Sequence, residues 1–96
     1  MIRSIKGKTT QDIFDGLASK AARRVPTELH RKARRQLDLI NGAAQLEDLR
    51  VPPGNRLEAL SGNLRGFHSI RINDQWRIIF RWREIGADDV EIVDYH

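Results

Sequence analysis

Cysteine is absent from the 96 residues. That excludes disulfides, thiolate metal sites and cysteine nucleophiles together, and it fits an expected cytoplasmic location, where disulfides are rare. Aromatic residues make up only 6% of the chain, so its one Tyr and two Trp are marked positions. No apolar run approaches the roughly 18 residues of a membrane helix. The opening Met1-Ile2-Arg3-Ser4-Ile5-Lys6 lacks the apolar stretch of a secretory signal. Internal repeats, Gly-rich phosphate loops, serine nucleophile elbows and His-x-x-x-His spacings are also missing. Any chemistry here is expected to need no metal and no cofactor. A chain of this length allows one compact domain, residues 1–96, with a core of its own.

Positive charge is what the chain has in excess. The net charge is +4, and thirteen of the seventeen basic residues are arginine, whose planar fork suits phosphates and stacks on bases. Residues 1–50 carry +5 and residues 51–96 carry −1. The densest stretch holds Lys20, Arg23, Arg24, Arg31, Lys32, Arg34 and Arg35 against only Glu28. Such a segment can dock on a polyanion, and it can equally be a solvated helix face.

Ile2 to Lys6 alternates as a short first strand closed by Gly7. Thr9 or Thr10 can cap a helix with Ile13, Phe14, Leu17 and Ala21 on one face. Pro26-Thr27-Glu28 opens a second helix, with Thr27 as cap and Leu29, Ala33, Leu37, Ile40 and Ala44 as its apolar stripe; Asn41-Gly42 can end it. Leu46 to Leu49 can add a turn before Val51-Pro52-Pro53-Gly54-Asn55, which cannot be regular structure. The period then changes to 2. Leu57 and Leu60 mark a short strand; His68, Ile70 and Ile72 alternate next, then Trp76, Ile78, Phe80 and Trp82. Val90, Ile92 and Asp94 follow a Gly86-Ala87-Asp88-Asp89 turn. The expected fold is α+β: an N-terminal strand, then two helices packed on one face of a small, mostly antiparallel twisted sheet.

One register satisfies both apolar runs. Pairing Ile70 with Ile78 and Ile72 with Trp76 puts all four on one face and leaves Asn73-Asp74-Gln75 as a three-residue loop. It also sets Arg71 opposite Arg77 on the face away from the helices, with Arg81 and Arg83 further along. A slip of one residue would expose half the apolar set, so the register is fixed. Two opposed arginines suit a bound phosphate; alternatively Glu58 or Glu91 neutralises them. The expected core is Ile13, Phe14, Leu17, Leu29, Leu37, Ile40, Ile70, Ile72, Trp76, Ile78 and Phe80. His30 is expected in solvent and His68 on the sheet. The chain's last residues, Asp94-Tyr95-His96, put three proton-transfer groups in a row, although terminal residues are often unconstrained.

Taken together, the segment Pro53-Gly54-Asn55-Arg56-Leu57-Glu58-Ala59-Leu60-Ser61-Gly62, the run His68 to Ile78 with its Trp76-Arg77-Ile78 centre, and the terminal Val93-Asp94-Tyr95-His96 resemble the HigB-type toxins, or plasmid maintenance system killer proteins, of the RelE superfamily. The resemblance covers nearly the whole chain. It implies a RelE-like microbial RNase architecture and a metal-free, ribosome-dependent mRNA endonuclease. It also implies control by a HigA-type helix-turn-helix antitoxin, through which operator DNA would be met only indirectly. Arg77, Asp94, Tyr95 and His96 match the family's active-site positions. Where some members carry a histidine and a lysine around the Leu60 position, this chain has Glu58 and Ser61, which leaves fewer basic groups beside a scissile phosphate.

The chemistry asks little of the protein. RNA is cut when its own 2′-hydroxyl attacks the adjacent phosphate, so residues must position, deprotonate and protonate. Asp94, Glu58 or Tyr95 can be the base. His96, of the residue type that titrates near neutrality, can protonate the leaving 5′-oxygen. Arg77, with Arg71 and Arg81, can bind the phosphate and stabilise its added charge; Tyr95 can instead stack on a base. Lys20, Arg23, Arg24, Arg31, Arg34 and Arg35 would then bind ribosomal RNA of the small subunit. A gyrase poison on the same fold and a basic RNA-binding module without catalysis are the alternatives, and neither calls for the Asp-Tyr-His terminus.

Overall fold

A computed structural model describes residues 1–95. Helix α1 covers Lys8–Phe14 and α2 covers His30–Gly42. Strands β1 (Glu58–Ala59), β2 (His68–Arg71), β3 (Trp76–Arg83) and β4 (Gly86–Asp94) follow. The strands form one antiparallel meander in the order β1-β2-β3-β4. Ala33, Leu37 and Ile40 of α2 and Ile13 of α1 share a single core with Ile70, Ile78, Phe80, Val90 and Ile92 of the sheet. Among the described residues no helix is long and apolar enough to cross a membrane.

The β2–β3 hairpin has the register that its apolar spacing demands, with Ile70 opposite Ile78 and Arg71 opposite Arg77. Its loop is Asn73-Asp74-Gln75. Ile72 N–H donates to the Trp76 carbonyl at 2.9 Å. Asn73 Oδ1 accepts the N–H groups of Gln75 and Trp76 at 2.9 and 2.7 Å, a side chain imitating backbone in a tight turn.

The helical half departs from expectation. Helix α1 stops at Phe14 because Gly16 adopts φ 77° and closes a Schellman motif: Leu17 N–H donates to Asp12 O at 2.8 Å and Gly16 N–H to Ile13 O at 3.1 Å. The apolar period breaks there, and Leu17 lies 52% exposed instead of in the core. Neither Thr9 nor Thr10 caps the helix, which Gly7 precedes. Thr9 Oγ1 donates to Ala21 O at 2.8 Å, and the buried Thr10 Oγ1 accepts Ile92 N–H at 3.0 Å, tying α1 to β4. Thr27 does not cap α2 either. A 3-10 turn over Thr27–Leu29 leads into the helix, closed by Leu29 N–H on Pro26 O. Because α2 ends at Gly42, Ala43 and not Ala44 reaches the core. Phe14, Leu29 and Trp76 are only partly buried. His30 is half-buried, its Nε2 2.8 Å from Val25 O.

Two strand boundaries also differ. Gly86 to Asp89 lies within β4, and the hairpin tip is Glu84-Ile85, with Arg83 opposite Gly86. Gly86 is there for close packing: a Cβ on it would stand 2.6–2.8 Å from Arg3 and Met1. Beyond it, β3 advances from Ile79 to Arg81 while β4 advances from Asp88 to Glu91, so β4 carries one extra residue, a β-bulge with Asp89 at φ 55°. The N-terminal segment follows that irregular edge. It makes two isolated parallel bridges, Ile2 to Ala87 and Ile5 to Val90, in place of a continuous strand. Ser4 Oγ between them accepts Asp89 N–H at 2.8 Å.

The loop before β1 is built around one polar side chain. Asn55 is almost fully buried, 2% exposed, at the end of a 3-10 turn over Pro53–Asn55. Its Nδ2 donates to Leu49 O and Val51 O, both at 3.2 Å, and its Oδ1 accepts Gln36 Nε2 at 3.0 Å. Gln36, buried on α2, also donates to Arg71 O at 2.8 Å. The network fixes the loop to both α2 and β2, and Arg56 leaves it in a left-handed conformation, φ 47°.

Candidate active site

Strand alternation brings Glu58, Ser69, Arg71, Arg77 and Ile79 to the sheet face opposite the one that packs with the helices. Glu58 pairs with Ser69, Ser69 with Ile79, and Arg71 with Arg77, and directly opposed residues share a face. Arg77 sits at the centre and is buried, 8% exposed. Its Nε–H donates to Ser69 Oγ at 2.9 Å and its Nη2–H to the Arg56 carbonyl at 2.6 Å. Glu58 Oε1 lies 3.5 Å from Nη1. The Tyr95 ring centroid lies 5.5 Å from the guanidinium carbon, within cation–π range, and Tyr95 is 39% exposed. A buried cation thus meets solvent beside one carboxylate and one phenol.

Arg71 and Arg81, which share this face with Arg77, are each matched by a carboxylate. Arg71 Nη2 bonds Asp74 in the hairpin loop, and that bond, with the attraction of the cation, holds the Asp74 carboxyl below its ordinary value. Arg81 lies on the same side of β3, about 13 Å from Arg77 at the strand's rise per residue. Its guanidinium stacks on Phe67 at 4.2 Å and its Nε is 3.6 Å from Asp89 Oδ2. Asp74 and Asp89 are exposed partners, and pairs of that kind contribute only about 0–1 kcal/mol. A phosphate can therefore displace them.

Asp94 is not on this face. It pairs in register with Trp76, and its Oδ2 accepts Gln75 Nε2 at 3.1 Å. Strand alternation permits Tyr95 to reach Arg77 and turns Asp94 to the other side. His96 lies outside the described residues. His68, paired with Phe80 and stacked near it at 6.2 Å, belongs to the core face. Burial first, and the Arg50 charge second, push its imidazole below the ordinary value of 6.5, which favours the neutral ring.

Lys20, Arg23, Arg24, Arg31, Arg34 and Arg35 are all exposed. Among the described residues, none of them has a carboxylate within 4 Å. Arg31, Arg34 and Arg35 line a groove of about 510 Å³ between α2 and the end of α1, with Leu17 and Ala18 on its other side. The basic segment is therefore a separate surface from the Arg77 face. Sequence reasoning missed Ser69 and the Arg56 carbonyl. The register already placed Ser69 diagonally beside Arg77, so that signal was present; nothing in the sequence marks the left-handed Arg56.

Two helices packed on a four-stranded antiparallel meander are the fold of the RelE-like toxins. YafQ from E. coli superposes with a TM-score of 0.64 over 98% of this chain and 93% of that one at 14% identity. YoeB in the YoeB–YefM complex from Staphylococcus aureus superposes with a TM-score of 0.62 over 100% and 98% at 18% identity. Residues 5–96 match the HigB-like toxins, the RelE-like toxin of type II toxin-antitoxin system HigB. Toxin HigB-1 of Vibrio cholerae is 39% identical over 82 residues, 85% of this chain and 84% of that protein. An uncharacterized protein of Haemophilus influenzae is 37% identical over 59 residues, 62% of this chain and 58% of that one. The chain belongs to the HigB-like family and is a RelE-like toxin of a type II toxin–antitoxin system. Toxins of this family are mRNA endoribonucleases and pair with an antitoxin.

Proposed function

We propose that the protein cleaves mRNA on translating ribosomes by acid–base catalysis without a metal ion, and that a HigA-type helix-turn-helix antitoxin restrains it. The observation that carries this reading is the Arg77 guanidinium, buried and tied to Ser69 and Arg56, with Glu58 and Tyr95 at its solvent edge. Of the three candidate bases, Glu58 and Tyr95 stand beside Arg77 and Asp94 does not. Glu58 takes the proton of the 2′-hydroxyl, and the 2′-oxygen attacks the adjacent phosphorus. Arg77, with Arg71, neutralises the charge of the phosphorane. The bond to the 5′-oxygen then breaks, that oxygen receives a proton from His96, and a 2′,3′-cyclic phosphate remains. Tyr95 stacks on a base and splays the strand. Lys20, Arg23, Arg24, Arg31, Arg34 and Arg35 hold ribosomal RNA of the small subunit, and operator DNA is reached only through the antitoxin.

Single-turnover cleavage on a programmed ribosome tests the reading, with primer extension locating the new 5′ ends inside the reading frame. Arg77→Ala should lose about 10²–10³ in rate. Arg77→Lys, which keeps the charge but not the fork, should also be slow. Deleting His96, the general acid, should cost about 10²–10⁴. Parent-rate cleavage by both the Arg77 variants and the His96 deletion would place the chemistry elsewhere. Intact message with blocked DNA supercoiling would identify a gyrase poison instead.

A further inference from the structure

We propose that Ser69 is a positioning residue for this reaction: its hydroxyl fixes the plane of the Arg77 guanidinium so that the donors not anchored to protein face the scissile phosphate. The proposal rests on Arg77 being the phosphate-contacting group. Ser69 is fully buried, and a buried hydroxyl needs a partner. Its Oγ accepts Arg77 Nε–H at 2.9 Å. An arginine stem has many rotamers, yet its five N–H donors lie in one rigid plane. Two anchors therefore set the whole fork. One is Ser69 at Nε and the other is the Arg56 carbonyl at Nη2, 2.6 Å away. Arg56 offers that carbonyl from a left-handed backbone, φ 47° and ψ 57°, one residue after the buried Asn55. With Nε and Nη2 held, Nη1 is the group that meets Glu58 at 3.5 Å, and Glu58 sits opposite Ser69 in the β1–β2 register. The main-chain anchor cannot be deleted by substitution, whereas the serine anchor can.

Without the hydroxyl, Nε–H is left unpaired inside the protein and the guanidinium tilts about its remaining anchor. Binding of the ribosome and message, spread over many contacts, is unaffected, while alignment at the phosphate is lost. Single-turnover cleavage on a programmed ribosome should therefore show Ser69→Ala slower by about 10- to 100-fold with an unchanged half-saturating ribosome concentration. Ser69→Cys, which keeps the packing but accepts hydrogen bonds weakly, should show the same loss, and thermal melts verify that both variants are folded. In an Arg77→Lys background, which has no Nε–H, Ser69→Ala should have no further effect. Parent-rate cleavage by Ser69→Ala beside a slow Arg77→Lys overturns this proposal alone. An equal loss in both backgrounds also overturns it, since the hydroxyl would then act through the fold. Parent-rate cleavage by Arg77→Lys and Arg77→Ala overturns the reading of the site and this proposal with it.

Discussion

Replacing Asn55 with alanine removes one small side chain from a loop, yet it should be among the most damaging single changes to this fold. Asn55 makes three side-chain hydrogen bonds, two to the Leu49 and Val51 carbonyls and one from Gln36. Alanine leaves all three of those groups without that partner. Gln36 keeps its bond to Arg71 O at 2.8 Å, so the damage falls mainly on the two carbonyls and one amide N–H. A buried polar group left unpaired costs about 1–3 kcal/mol, and three of them, partly relieved by water, amount to about 3–5 kcal/mol. The whole domain has only about 5–14 kcal/mol at ordinary per-residue stability. At roughly 4 °C or more per kcal/mol for a chain of this size, Tm should fall by at least about 12 °C. Calorimetry and urea unfolding measure this, with the midpoint lowered and the slope unchanged. Below the melting range, cleavage should fall as well, because Asn55 sets the loop from which Arg56 holds Arg77. A drop in Tm under about 4 °C, or about 1 kcal/mol, would refute the account of this network.

Changing Arg31, Arg34 and Arg35 together to alanine should weaken small-subunit binding and reduce its logarithmic salt slope by about 2–3; an unchanged slope in filter-binding or sedimentation series would make the segment a solvated face. Asp12 is held below the ordinary carboxylate value first by the Ser19 hydroxyl and then by Lys8. Its stabilising contribution is therefore complete above about pH 4 and lost as pH falls through its lowered folded value. Asp12→Asn should accordingly melt below the parent at pH 7, with the gap closing under pH 4, and a gap independent of pH would refute the assignment. Leu37→Ala should cost about 2–5 kcal/mol and Leu17→Ala no more than about 0.5 kcal/mol, measured by the same unfolding; comparable losses would contradict the exposure of Leu17.

What could be read from the sequence was whatever periodicity alone determines. Ile70, Ile72, Ile78 and Phe80 fix a register because any slip exposes them, and Arg71 and Arg77 are carried along to the other face. The stripe of α2 is legible for the same reason. Local backbone choices were not legible. Gly16 ends α1 and sends Leu17 outward, although Leu17 fits the helical period. Gly86 looks like a turn residue but serves close packing against the N-terminus. Buried polar groups such as Asn55, Thr10 and Ser69 carry no period at all, and they are what joins the elements. For the candidate site, Arg77, Glu58 and Tyr95 were named from sequence and stand together, whereas Asp94, adjacent in sequence to Tyr95, faces the other way. Alternation along β4 lets only one subset of its last residues face Arg77, and which subset depends on a strand irregularity that no residue pattern announces.

That irregularity, the extra residue of β4 at Asp89, acts as a parity switch. From the hairpin tip to Asp88, each β3 residue meets the β4 residue that a straight ladder would assign. Continued without the bulge, the same count would set Ile92 opposite Arg77 and give the even-numbered positions to its face, Asp94 among them. The bulge advances β4 by one, so Val93 stands opposite Arg77 and the phenol of Tyr95 reaches its guanidinium. A chain lacking only Asp89 would keep every site residue in its sequence and exchange which of them share a side of the sheet. Across related chains, a gain or loss of one residue between the tip and the end of this strand would thus rewrite the site more deeply than a substitution within it.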